Sequence, residues 1–363
     1  MEFKKHSMEN LEMNPSFWNN KRVLITGHTG FKGSWLTIWL KKLGAEVIGF
    51  SNSIPTNPSL YELSGINSDI TSVTGDIRDL DALQNTFSKY NPEIVIHMAA
   101  QSLVSPSYDD PVKTYSTNVM GTVNLFECIR KTNETSVIIN VTSDKCYQNK
   151  ETLNGYVETD EIGGHDPYSN SKACSELVTS SFRNSFFRDN PDGKNLATVR
   201  AGNIIGGGDW SENRLIPDIM KSLQQDFSLK IRNLDGIRPW QHVLDPLNGY
   251  LILAEHMWNN DSKFSEAWNF GPDKNNIKPV SWIIDQISEY WGSPINLEKS
   301  TQNFHETHVL SLNCSKSKSE LNWNPKLNLI DSIKLTVDWF KAFYNKSDMR
   351  KITEQQINDF SLL

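Results

Sequence analysis

Apolar and polar positions alternate along the first half of the chain in a regular way. A β-branched and aliphatic run at 22–26 is followed by glycines and then by an amphipathic stretch at 34–43. Strand-like runs recur at 46–50, 72–74, 94–98, 137–142 and 197–200, and helix-like stretches at 81–90, 119–131 and 166–184 fall between them. Strands alternating with helices over short connections predict a doubly wound α/β fold with a parallel sheet. Residues 94–98 and 137–141 are apolar at nearly every position, as expected for strands covered on both faces. After Arg200, the Gly206-Gly207-Gly208 triplet and the prolines at 217, 239, 246, 272, 279 and 294 divide the chain into shorter pieces. This change predicts a smaller mixed α/β unit over the carboxyl edge of the sheet, where open α/β folds bind ligands. Helical periodicity returns at 277–291 and 329–344.

Composition narrows the reading. The 363 residues carry a formal charge of −7 and show no basic run, which argues against nucleic acid as a partner. The longest apolar runs are strand-sized, so no membrane association is expected. Residues 1–14 are polar, without the apolar core of a signal peptide, and are expected to form a flexible extension. Cys128, Cys146, Cys174 and Cys314 lack CxxC spacing, and the plain expectation is reduced thiols in a cytoplasmic protein.

Gly27-His28-Thr29-Gly30-Phe31-Lys32-Gly33 follows the first strand and opens the first helix. In that context the glycines permit a tight turn, and backbone N–H groups at a helix start can cradle a pyrophosphate. The second strand ends in Phe50-Ser51-Asn52-Ser53, where Ser51 can bond a ribose hydroxyl and nothing would neutralise a 2′-phosphate, so NAD is expected rather than NADP. Gly75-Asp76-Ile77-Arg78-Asp79 follows the third strand. There Asp76 suits an adenine amine, although Asp76 or Asp79 would serve equally as a helix N-cap. Ala99 and Ala100 end the fourth strand with side chains small enough for close passage of a cofactor, or simply for tight packing.

Tyr168 and Lys172 stand four residues apart on one helical face. A phenol is a poor base at neutral pH unless a cation lies beside it, and Lys172 would be that cation. The fifth strand ends in Ser143-Asp144-Lys145, a hydroxyl, a carboxyl and an amine presented together. Alone, this could be a polar turn; beside the Tyr–Lys pair it reads as an acid/base set.

The glycine loop, Ser143, Tyr168 and Lys172 together resemble the extended short-chain dehydrogenase/reductase family. Most nucleotide-sugar 4,6-dehydratases of that family carry Thr-Asp-Glu at the strand end. The lysine at 145, with His28, Lys32 and Gly206-Gly207-Gly208-Asp209-Trp210, resembles the CDP-glucose 4,6-dehydratase branch. The resemblance spans about residues 15–345. It implies a Rossmann-type NAD-binding domain at 15–200, a mainly substrate-binding domain at 201–345 with segments returning to the first, and a tail at 346–363. It further implies a homodimer or homotetramer paired through helices 119–131 and 166–184, and a role in deoxysugar biosynthesis of the O-antigen type. For CDP-glucose as substrate, Tyr168 would take the C4 hydroxyl proton, with Ser143 on the same oxygen. Lys145 would remove the C5 proton, and Asp144 would protonate the departing C6 hydroxyl. On the substrate side the resemblance assigns contacts to Asn203, Arg214, Arg238 and Asn269, with Arg238 suited to a diphosphate.

His305-Glu306-Thr307-His308 has HxxH rather than HExxH spacing and no third ligand nearby, so no metal site is expected. The alternatives are another nucleotide-sugar dehydratase (of GDP-mannose, for example), a 4-epimerase, or a non-catalytic NAD-binding sensor, which would have no need of the acid/base set.

Overall fold

The computed structural model describes residues 13–152, 154–188, 193–231, 233–259, 262–299 and 310–363. The expected extension at 1–14 falls almost wholly outside them, as does the HxxH segment.

Seven parallel strands form the main sheet: β1 (Arg22–Thr26), β2 (Glu46–Ser51), β3 (Thr71–Thr74), β4 (Ile94–His97), β5 (Val137–Val141), β6 (Asn195–Ala201) and β10 (Ala267–Phe270). Their order is β10-β6-β5-β4-β1-β2-β3, so the winding direction reverses between β1 and β4. A crevice opens at the carboxyl ends of these two strands, which is where doubly wound sheets bind ligands. Val23, Ile25, Ile94, Ile96, Val137 and Ile139 face one apolar layer, which includes the first helix (Phe31–Lys42) and the helix Leu244–Trp258. Leu24, Val95 and Ile138 face the other layer, with the helices Leu80–Tyr90 and Gly121–Arg130. Burial on both faces explains why these strands lack polar alternation.

The first six strands lie where the hydrophobic pattern puts them. The seventh, β10, carries Asn269, the expected substrate contact; it pairs in parallel with β6, Asn269 against Arg200. Beyond β6, β7 (Asn203–Ile205), β9 (Ile237–His242) and β11 (Ile277–Pro279) form a second sheet. The short strands β8 (Leu229–Ile231) and β12 (Leu297–Lys299) pair beside the helix Leu215–Gln225. Helices Val280–Trp291 and Leu329–Tyr344 occupy the two late periodic stretches.

The expected tail contains a further helix, Met349–Ser361, capped by Asp348. Its Met349, Ile357 and Phe360 are buried, Phe360 meets Trp39 of the first helix edge-on, and Arg350 pairs with Asp69 at 3.1 Å. Among the described residues no helix is long and apolar enough to cross a membrane.

Candidate active site

A cleft of about 1830 Å³ runs from the glycine loop across the carboxyl ends of the strands to β8 and β9. Drug-sized ligands occupy pockets of roughly 300–1,000 Å³, so this one has room for two ligands end to end.

At one end, Gly27 adopts φ +76°, and a Cβ there would stand 2.8 Å from the Ala99 nitrogen. A Cβ on Gly33 would lie 2.1 Å from the Gly27 carbonyl oxygen, so the loop closes only with glycine at both positions. Thr26 fixes the facing segment by accepting from the Met98 and Ala99 N–H groups, each at 3.1 Å. Gly27, Gly30, Phe31, Lys32, Gly33, Ser51, Asp76, Ile77, Ala99 and Ala100 all line the cleft.

His28 does not. Its ring lies beneath the loop, 1% exposed, with Nδ1 at 2.9 Å from the Ser51 hydroxyl and Nε2 at 2.8 Å from that of Ser72. It occupies space that a side chain on Gly49 would fill, and burial lowers its pKa to about 4. His28 is thus a neutral strut for Ser51, and its imidazole cannot reach a ligand. Lys32 donates to the Tyr250 hydroxyl at 3.0 Å; burial, with Lys172 and Arg214 nearby, pushes its pKa down to about 7.

The two candidate caps also separate. Asp79 accepts from Ala82 N–H at 3.0 Å and starts its helix. Asp76 takes a forked bond from Arg78, Nε at 3.0 Å and Nη2 at 2.7 Å, which holds its pKa at about 2.

At the centre, Ser143, Asp144 and Lys145 sit on one short turn after β5, with Lys145 N–H donating to Ser143 Oγ at 3.2 Å. Opposite stands the helix Pro167–Phe182, started by the Asp166 side chain accepting from Ser169 N–H and by proline in its first turn. It carries Tyr168 and Lys172, and all five side chains line the cleft. Burial raises the Tyr168 phenol to about 12, against a hydrogen bond with Ser143 that lowers it. Lys172 donates to the Val141 carbonyl at 3.1 Å, and burial lowers its pKa to about 8, with the Glu176 carboxylate opposing. Asp144 is 3% exposed, and burial raises its pKa while Lys145, Ser143 and Arg238 pull the other way. Its Oδ2 is buried and makes no hydrogen bond among the described residues. Gly202 makes room for that oxygen, since a Cβ there would stand 3.2 Å from it and 2.5 Å from Pro239.

At the far end Asn203, Arg214 and Arg238 line the cleft. Arg214 donates to Asp209 at 3.1 Å and reaches Ser102 at 3.4 Å, spanning the mouth. Asn269 is not there. It is fully buried, its amide donating to the carbonyls of Tyr156 and Asn313 and accepting from the Tyr147 hydroxyl at 2.8 Å. A side chain committed to three internal partners on a covered strand has nothing left for a substrate.

Sequence reading gave no role to Gly202, Glu176 and Arg200. Glu176 had a signal, standing four residues past Lys172 and eight past Tyr168 on the same helical face. Among the described residues no cluster of three or more His, Cys, Asp or Glu could hold a metal ion.

The family model described as GDP-mannose 4,6 dehydratase matches residues 24–336. A CDP-glucose 4,6-dehydratase of Salmonella typhimurium is 48% identical over 95% of this chain and 97% of its own length. A dTDP-glucose 4,6-dehydratase of the same organism is 26% identical over 88% of this chain and 93% of its own. Among solved structures, dTDP-glucose 4,6-dehydratase of Bacillus anthracis, in complex with NAD, superposes with a TM-score of 0.77 at 21% identity, covering 91% of this chain and 99% of that one. UDP-glucose 4-epimerase of Thermotoga maritima, with UDP-glucose, gives 0.78 at 22% identity, covering 89% and 99%. With the family model spanning most of the sequence and nearly half its positions shared with the Salmonella enzyme, the chain belongs to the GDP-mannose 4,6 dehydratase family of nucleotide-sugar dehydratases, within the extended short-chain dehydrogenases/reductases.

Proposed function

We propose that this protein is an NAD-dependent CDP-glucose 4,6-dehydratase, forming CDP-4-keto-6-deoxyglucose and water. The observation that carries the reading is the gathering of the Tyr168 phenol, the buried Asp144 carboxyl and the Lys145 amine on facing walls of one cleft. An epimerase has no need of the last two groups. Cytidine as the base is supported by the 48% identity to the Salmonella enzyme.

The cradle suits a dinucleotide. Gly27 and Gly33 leave the backbone bare where a pyrophosphate would approach, and Ser51 lies at the tip of β2 where a ribose would sit. Arg78 is engaged by Asp76, which leaves no evident counter-charge for a 2′-phosphate. Bound there, NAD would supply reversible hydride acceptance. Residues 15–200 together with β10 would hold it, while 201–244 and the β8–β12 segment would hold the nucleotide sugar.

In the sugar pocket Tyr168 takes the C4 hydroxyl proton, with Lys172 stabilising the phenolate and Ser143 bonding the same oxygen. Lys145 removes the proton at C5, acidified by the adjacent ketone, and gives it back to C5 once water has left and the hydride would be returned to C6. Asp144, favoured in its protonated form by burial, donates its proton to the leaving C6 hydroxyl, which departs as water. Asn203, Arg214 and Arg238 orient the diphosphate.

Helix Pro167–Phe182 and its neighbour expose Leu177 and Met120, and the adjoining segments expose Phe186 and Val112. These apolar side chains support a homodimer paired through these elements. Leu177→Glu should yield monomers in sedimentation.

The test of function is incubation with CDP-glucose and no added cofactor, against UDP-, GDP- and dTDP-glucose. A 4-keto-6-deoxy product from CDP-glucose alone is expected. Preference for another base, or a C4-inverted product, would overturn the assignment.

A further inference from the structure

Directly beneath the acid/base turn lies a buried ion pair that the reaction does not use. Glu176 and Arg200 are 5% and 3% exposed. Arg200 forks onto the carboxylate, Nε to Oε1 at 2.9 Å and Nη2 to Oε2 at 2.8 Å. Carboxylate oxygens also accept from the hydroxyls of Thr142 and Thr198, the latter at 2.8 Å. From its other side Arg200 donates to the Tyr147 hydroxyl at 2.7 Å, and Tyr147 in turn donates to Asn269.

The placement along the chain gives this network its meaning. Thr142 precedes Ser143, and Tyr147 follows Lys145 by two residues. The turn bearing the hydroxyl, the acid and the base is therefore gripped at both ends by one pair of charges. Glu176 also belongs to the helix that carries Tyr168 and Lys172, two turns and one turn earlier on the same face. The network thus ties the two walls of the site together. Buried ion pairs contribute little net stability, and one use that justifies them is fixing a single arrangement.

We propose that the Glu176–Arg200 pair is a positioning device, with Thr142 and Tyr147 as its two arms, which holds Asp144 and Lys145 in register with Tyr168 for elimination across C5 and C6. The inference rests on the dehydratase reading above. Oxidation at C4 depends chiefly on Tyr168 and Lys172, which sit on their own helix, and takes only the Ser143 hydroxyl from the turn. Elimination depends on the gripped turn, so loosening the arms slows the second step more than the first.

The arms are tested by Thr142→Val and Tyr147→Phe, which leave both charges paired. Glu176→Gln strands a buried guanidinium and can fail to fold, so Glu176→Gln combined with Arg200→Met serves as its charge-free counterpart. With CDP-glucose, each arm variant is expected to keep KM within about twofold and to lose about ten- to hundredfold in kcat, the scale of a sub-ångström to 1 Å misplacement. Reduced nicotinamide should accumulate on the enzyme during turnover, and Thr142→Ser should restore kcat. A second measurement needs no substrate: hydrogen exchange of the peptide spanning 142–147 should quicken in both variants at an unchanged melting temperature. Wild-type kcat in both arm variants, a loss confined to KM, or unaltered exchange would each overturn the proposal. A wild-type protein inert towards CDP-glucose, but with faster exchange in the variants, would defeat the dehydratase reading while leaving the grip on the turn established.

Discussion

Ser143 donates its hydroxyl proton to Asp144 Oδ1 at 3.1 Å, while Oδ2 of the same carboxyl, beside Gly202, makes no hydrogen bond among the described residues. One oxygen is anchored, and the other, buried beside Gly202, has no competing hydrogen bond among the described residues. Burial favours the protonated form, so Asp144 is suited to carry a transferable proton. Asp144→Asn preserves shape and hydrogen bonding but removes the acid. Product formation is expected to fall about 10²–10⁴-fold, the usual scale of general acid catalysis. Rapid-quench analysis should still detect oxidation at C4; an intact turnover rate would remove Asp144 from the scheme.

Lys145 lines the same wall. Replacing it with Ala should suppress deuterium uptake at C5 when the reaction is run in heavy water, with C4 oxidation retained. Mass spectrometry of recovered sugar nucleotide reads this directly, and undiminished exchange would assign the C5 proton to another base.

The pH profile follows from Lys172. In the proposed scheme its ammonium supports the phenolate, and burial lowers its pKa from about 10.5 to about 8. Activity should therefore decline along an alkaline limb centred near pH 8, and Lys172→Arg, charged throughout, should lose that limb even if its rate is lower. Stability moves the other way. Between pH 8 and 10.5 the unfolded chain still binds a proton that the folded chain has released, so this group's contribution to stability rises across that window.

Acid acts on the histidines. His28 and His97 are buried and neutral, with pKa values lowered to about 4 and about 3, and Thr26 meets His97 Nδ1 at 2.6 Å. Below their ordinary value of 6.5 the unfolded state takes up protons that the folded state refuses. Stability is then lost as pH falls from 6.5 towards 4, on the order of 3 kcal/mol for each group at 1.36 kcal/mol per pH unit. Urea midpoints at pH 7 and pH 5 should separate widely, and His97→Asn should narrow the gap while lowering both. Equal midpoints in the wild type would contradict the burial of these rings as charge-free groups.

Much of this site was legible because its signals are local. The glycine loop, the Ser143–Lys145 turn and the Tyr168–Lys172 pair each depend on spacing within a few residues and on the strand or helix beside them. What escaped depends on distant partners. His28 sits in a glycine loop yet points downward, because Gly49, twenty-one residues on, leaves the hollow that receives its ring. Asn269 resembled a ligand contact only while its strand was unrecognised. Four residues with a polar one at the third position give too short a period to reveal a β-strand, and its pairing with β6 lies across sixty-odd residues of intervening chain. The helix Met349–Ser361 was hidden by its polar composition, three buried apolar side chains docking it together with the buried Thr353 and Gln356.

The position of β10 bears on how the molecule can be made and divided. The strand that completes the main sheet comes from residues 267–270, after β7, β8 and β9 have been synthesised. A fragment ending near residue 200 would present β6 as a bare apolar edge, an invitation to pair with other copies. On the ribosome, too, the nascent sheet stays unsealed until the chain returns from the second half, so the two halves mature together rather than in turn.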